Sequence, residues 1–280
     1  MREIHCSKVI KAVTKLCKAA NFCLPQSTYE LLEKALNQED STLGKMVLER
    51  IFENARIALG EEIPLCQDCG STIVFVEIGN QVQIKGGTLA EAINEGVRLG
   101  YKEGYLRKSI CHPISRKNTG DNTPAVVHID IVKGNSLKII VMPKGGGSEN
   151  MAKLKMLSPS AGKKGIGDFV VKSVEEAGSN PCPPIIVGVG IGGGSAERAM
   201  FLAKKALLRK VGETNPDPEI AELEKEILKG VNNLKIGPQG FGGKITALAC
   251  YIEVEPCHIA SLPLAVNLQC HSARYAEVIL

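Results

Sequence analysis

Apolar residues recur at helical spacing through the first third of the chain and at strand spacing through its middle. The opening MREIHCSKVIKAVTKLC sets Val, Ile and Leu at helical intervals with Lys between them, which predicts a helix and not the unbroken apolar core of a signal peptide. Capping boxes mark two further starts: Ser27 with Glu30 before a helix over 27–38, and Thr88 with Glu91 before one over 88–104. Ser41 opens a third amphipathic run, TLGKMVLERIFENARIAL. Branched residues then predict strands at 72-TIVFVEI-78, 125-AVVHIDIV-132 and 137-LKIIVMP-143. A glycine-rich turn over 144–153, a helix around 165–177 and a strand at 185–190 follow, and Ser195 caps a helix over 196–210. Residues 212–234 start polar with two prolines and become helical after Asp217, which suits a surface crossing or a lobe boundary. A strand-like 245–255 leads into a tail that stops on apolar residues, an ending expected to be buried or to abut a partner. The class is mixed α/β.

Composition narrows the function classes. At 280 residues and 44% hydrophobic content the chain can bury a substantial core, and its longest apolar stretches fall short of a membrane span. A cytoplasmic protein without membrane attachment is expected. The net charge is +4 with both signs interspersed, and 4% aromatic residues with no Trp give few stacking platforms, so no nucleic-acid partner is indicated. Ten cysteines without a secretion signal predict reduced thiols, either buried or ligating a metal.

Two motifs invite other functions. The strand and glycine turn of 185-IIVGVGIGGGS-195 resemble a phosphate cradle, but no Walker ending follows and no acidic residue is placed for a ribose, so close backbone packing or a small carboxylate suits it better. Cys66-Gln67-Asp68-Cys69 is a CxxC without a second pair, and a strand follows it where a redox motif wants a helix. A zinc- or nucleotide-binding module is the alternative these two features leave. Cys66, Cys182 and Cys270 each lie in a Pro, Gly or polar turn, and distant loops of this kind can share a cubane cluster. Loop context alone leaves that grouping one option among several.

The segments 64-PLCQDCGS-71, 118-NTGDNTPAVVH-128, 181-PCPPIIVGVGIGGGSAE-197, 237-GPQGFGG-243 and 256-PCHIASLPLAVNLQCHSAR-274 resemble, in order, the motifs of the α-type region of class I (iron–sulfur) fumarases and L(+)-tartrate dehydratases. The resemblance implies one α-type domain over 1–280, in two lobes with a boundary near 212–236, with cluster ligands on loops. It implies a [4Fe–4S] cluster on Cys66, Cys182 and Cys270, with one iron open. Asp68 and His258 would be the catalytic pair; Gln67, Arg107 and the backbone at Gly146 and Gly147 would bind substrate. The sequence departs from the family pattern at Cys69 and Cys257, where a small residue such as threonine is expected. The activity implied first is reversible hydration of fumarate to L-malate, as in the tricarboxylic acid cycle, with dehydration of tartrate to oxaloacetate as the alternative. A dianionic substrate needs further basic groups, which the family keeps in a β-type region absent here. A β subunit and an α2β2-type hetero-oligomer are therefore expected.

Overall fold

The computed structural model describes residues 1–210 and 212–280. In chain order the elements are β1 (Arg2–His5), α1 (Cys6–Phe22), α2 (Gln26–Gln38), α3 (Thr42–Glu61), β2 (Ser71–Gly79), β3 (Val82–Lys85), α4 (Leu89–Glu103), β4 (Val126–Val132) and β5 (Leu137–Lys144). They continue with α5 (Gly146–Glu149), β6 (Lys153–Leu157), α6 (Gly162–Ala177), β7 (Ile185–Gly192), α7 (Ala196–Ala206), α8 (Pro218–Asn232), β8 (Ala247–Glu255), β9 (Leu262–Gln269) and β10 (Ala276–Ile279). The fold is mixed α/β, as the hydrophobic pattern predicts. Two compact units divide the chain: Met1–Pro25, Asn54–Gly146 and Arg274–Leu280 form unit 1, and Gln26–Glu53 with Gly147–Ala273 form unit 2.

Unit 1 is built on a four-stranded sheet of order β10-β5-β2-β4, in which β2 runs parallel to β4 and antiparallel to β5. Alternation places Val74 and Val76 of β2 and Leu137, Ile139 and Val141 of β5 on one face, where they pack with Val9, Val13, Ile93 and Val97 of α1 and α4. The expected capping box starts α4: Thr88 Oγ1 accepts from the Glu91 N–H at 3.2 Å, and Glu91 Oε2 accepts from the Thr88 N–H at 3.1 Å. β1 and β3 add a small parallel pair.

Unit 2 is built on a sheet of order β6-β9-β7-β8. Its buried central strand explains the glycine-rich motif. Ile185, Val187, Val189 and Ile191 pack with Val170, Val174, Leu223 and Ile227 of α6 and α8, and the opposite face carries glycine beneath α7. A Cβ at Gly188 would lie 2.2 Å from the Ala203 carbonyl oxygen, and one at Gly190 only 2.0 Å from that of Ala199. The glycines let a helix backbone rest on a strand, the packing reading and not the phosphate-cradle one. Gly190→Ala is expected to destabilise the protein by about 3 kcal/mol, the upper end for overpacking a tight core, read as a lowered urea midpoint with unchanged slope. Ser195 caps α7 as predicted, accepting from Arg198 N–H at 3.2 Å, and α8 starts after Asp217 as expected, with Asp217 itself the cap, accepting from Glu219 N–H at 2.8 Å.

A buried carboxylate ties two loops of unit 2. Glu39 accepts from the N–H groups of Asp40 and Ser41 at 3.0 Å and of Lys244 and Ile245 at 2.9 Å. Burial alone would push its pKa up; the four donors outweigh that and hold it below the ordinary carboxylate value. A depressed folded-state pKa contributes stability above the unfolded value of about 4.3, lost as pH falls through the folded one. The stability gap between the native protein and Glu39→Gln is therefore expected to be full at neutral pH and to shrink under acid, as urea titrations at stepped pH would read; a gap constant with pH would refute it.

Several elements differ from expectation. α7 ends at Ala206, four residues before the predicted end at Lys210. α2 starts at Gln26, so Ser27 lies inside the helix, and Glu30 accepts from the Gln26 side chain at 3.1 Å. The turn over 144–153 holds the single-turn α5 and leads into β6. No helix of the described residues is long and apolar enough to cross a membrane.

Candidate active site

Within unit 1 the turn after Leu65 is fixed at almost every peptide. Leu65 N–H donates to the Asn21 carbonyl at 2.8 Å, and the Asn54 side chain donates to the Leu65 carbonyl at 2.9 Å. Cys66 is half-buried, with its Sγ 3.1 Å from Gln67 Oε1 and receiving the Asp68 N–H at 3.4 Å. The Asp68 carboxylate accepts from Gly70 N–H at 2.9 Å and from Gly146 N–H at 2.7 Å. Two residues predicted for separate roles, the acid and the glycine turn, are thus bonded directly. Arg107 reaches the same turn through its backbone, whose N–H donates to Cys69 Sγ at 3.2 Å.

Two supports of this turn carried no predicted role. Arg274 is only 1% exposed; its Nη1 donates to the Asp68 carbonyl at 2.8 Å and to Asn21 Oδ1 at 3.1 Å, while its buried Nε has no hydrogen-bond partner among the described residues. Tyr101, fully buried, donates its hydroxyl to the Cys69 carbonyl at 2.7 Å, and burial raises its pKa well above the usual phenol value. Arg274 closes the quoted CHSAR motif, so its segment was visible in the sequence although its task was not. Cys69 is buried, and desolvation raises its thiol pKa, opposed in part by the Arg107 N–H. It behaves as a packing thiol.

Within unit 2 the Cys182 and Cys270 turns are joined. Cys182 has φ +56°, a left-handed backbone uncommon outside glycine, and its N–H donates to Ser179 O at 3.0 Å. The His271 N–H donates to the Cys182 carbonyl at 3.3 Å, and Gln239 bridges the two turns, its Nε2 lying 2.9 Å from the Pro183 carbonyl and 3.0 Å from His271 Nδ1. Gln239 stands in the quoted GPQGFGG segment and was also missed. A Cβ at Gly147 would lie 2.7 Å from the Asn180 carbonyl oxygen, so this glycine abuts the Cys182 turn. Cys270 Sγ lies 2.9 Å from Ser272 Oγ. His258 sits on the β8–β9 connection, where Nδ1 accepts from Ala260 N–H at 3.1 Å, and Cys257 Sγ contacts the Ser261 carbonyl at 3.2 Å. Neither His258 nor Cys257 is drawn into the Cys182–Cys270 hydrogen bonds.

Among the described residues no three His, Cys, Asp or Glu side chains form a ready metal-holding group. All ten cysteines are free; Cys6, Cys17, Cys69 and Cys250 are buried, whereas Cys182 is exposed and Cys66 and Cys270 are half-buried in polar turns. Cys66, Gln67, Asp68, Arg107 and Gly146 belong to unit 1, and Gly147, Cys182, His258 and Cys270 belong to unit 2.

The profile of the fumarate hydratase (Fumerase) family matches residues 10–279. The chain belongs to the fumarate hydratase family. A Methanocaldococcus jannaschii relative, provisionally named an L(+)-tartrate dehydratase subunit alpha, is 45% identical over 96% of each chain. The L(+)-tartrate dehydratase subunit alpha of Escherichia coli UTI89 is 33% identical over 94% of this chain and 90% of its own, and that of Escherichia coli K12 is 32% identical over 96% and 92%. Membership in the fumarate hydratase family makes the chain a hydro-lyase component.

Proposed function

We propose that the chain is the cluster-bearing α subunit of a heteromeric hydro-lyase acting on a four-carbon dicarboxylate, with dehydration of L(+)-tartrate to oxaloacetate as its reaction. The observation that carries this is the 45% identity over 96% of both chains with a relative bearing that name. Hydration of fumarate to L-malate is the second reading, favoured by the family description. A cytoplasmic α2β2-type assembly is part of the proposal, with a β subunit completing the site.

Cys66, Cys182 and Cys270 would hold a [4Fe–4S] cluster. The donor set suits it: three thiols sit in polar turns, two of those turns are hydrogen-bonded together, and Asp68 N–H and Ser272 Oγ stand within reach of sulfur. When bound, such a cluster supplies Lewis-acid chemistry toward a hydroxyl or carboxylate oxygen without redox change. The chain's own residues supply the rest. Asp68, held by two N–H groups, would move a proton at its carboxylate, and His258, on its exposed turn, would be the second acid–base group. Arg107, Gln67 and the Gly147 amide would receive substrate oxygens, whereas the Gly146 N–H, expected to do the same, is taken up by the Asp68 carboxylate.

The test is a panel of L(+)-tartrate, fumarate, L-malate and methylated analogues on the α/β complex prepared without oxygen. Turnover of tartrate alone supports the first reading, turnover of fumarate the second, and turnover of neither refutes both. Cys182→Ser and Cys270→Ser are each expected to strip the complex of iron and acid-labile sulfide; undiminished content would break the ligand assignment. Stoichiometric zinc without sulfide would favour a zinc module.

A further inference from the structure

β4 is the outer strand of the unit 1 sheet, and among the described residues its far edge pairs with no other strand. Edge strands are ordinarily guarded by lysine, proline or a bulge, because a row of open N–H and C=O groups templates pairing with another chain. β4 reads VVHIDIV, with none of these, and its register with β2 runs unbroken from Val126 to Val132. Val126, Ile129 and Ile131 are 46%, 48% and 77% exposed. Alternation puts Val127, Ile129 and Ile131 on one face. Val127 packs into the core beneath α1 and α4, and the two isoleucines extend the same apolar surface into solvent. Apolar residues clustered on an open edge mark an interaction surface.

The strand's own sequence specifies the occupant. If β4 pairs antiparallel with β4 of a second copy about a two-fold axis at Ile129, then Ile129 meets its own counterpart, Val127 meets Ile131, Val126 meets Val132 and His128 meets Asp130. One face becomes a ladder of branched apolar pairs, which stabilise antiparallel strands, and on the other Asp130 stands opposite His128, whose ring stacks on Phe75. A slip of one residue would set Asp130 against Val127 and turn apolar positions to the wrong face, so the register is selected. A two-fold contact of this kind is the commonest homodimer symmetry.

We propose that β4 is a self-complementary dimer strand, through which two copies of this chain join their unit 1 sheets edge to edge. The inference is independent of the substrate reading. Sedimentation of the full chain, alone and in complex with the β subunit, tests it. The chain alone is expected to reach twice its 29.9 kDa mass in the micromolar range. Ile131→Lys, at an exposed position that leaves the fold intact by circular dichroism, is expected to raise the dissociation constant about tenfold or more. Asp130→Lys, which sets a lysine on the edge of both copies, should weaken the dimer as well. Amide exchange at 126–132 should be slow in the dimer and fast in Ile131→Lys. A chain monomeric at every concentration, or a dimer indifferent to Ile131→Lys and Asp130→Lys, overturns the proposal. Protection of 126–132 only when the β subunit is bound does so too, and assigns the edge to that subunit.

Discussion

Asp68→Asn is expected to lower kcat/KM of the assembled enzyme by roughly 10²- to 10⁴-fold, the usual worth of a positioned acid or base. The carboxylate is held by the Gly70 and Gly146 N–H groups, and its own peptide carbonyl is held by Arg274. Such a group arrives oriented, so the proton transfer proposed for it would need no search for a pose. Asparagine preserves the shape, but its NH2 must face one of the two N–H donors, at a cost of about 1–3 kcal/mol. Three readings separate chemistry from structure. Iron and sulfide content should stay at the native level, the melting temperature should drop by a few degrees at most, and the loss should fall on kcat more than on KM. Activity within tenfold of native would remove Asp68 from the proton-transfer role.

Arg209→Ala is expected to cost about 3–5 kcal/mol of stability. Arg209 and Glu224 have side chains 11% and 9% exposed and form an ion pair. Glu224 also accepts the Ile252 N–H at 2.8 Å, and Arg209 donates to the Ile252 carbonyl at 2.7 Å and to Glu253 at 3.1 Å. Its guanidinium lies 5.1 Å from the Tyr251 ring. The arginine therefore fastens α8 to β8 through charge, hydrogen bonds and ring contact together. Truncation strands a buried carboxylate, whereas Arg209→Met with Glu224→Leu removes both charges and should recover most of the loss. An unfolding free energy from urea titration within about 1 kcal/mol of native for Arg209→Ala would show that the pair is not anchoring the sheet.

Legibility in the sequence followed locality. Strong periodicity announced β2, β4, β5, β7 and α8, and cap chemistry announced α4 and α7, because both signals lie within a few residues of the element they define. β3 and β6 are four and five residues long, and β1 and β10 are four each; their strand state comes from distant partners, as when Ala276–Ile279 pairs with Lys138–Val141. The same division runs through the site. Cys66, Cys182 and Cys270 were singled out by turn context and family motifs, whereas Arg274 and Gln239 act by reaching Asp68 and Pro183, contacts 206 and 56 residues apart. The glycines of β7 were visible as a motif, but only the two short Cβ-to-carbonyl distances separate packing from anion binding.

The assignment of Arg274–Leu280 to unit 1 has a consequence for biosynthesis. Most of that unit is translated by Gly146, yet β10, on one side of its sheet, and the arginine that steadies the Asp68 peptide come after the whole of unit 2. A ribosome adding about 5–20 residues per second leaves the nascent unit with an open β5 edge and a loose Asp68 turn for several seconds. Unit 1 is thus completed last, although it is begun first.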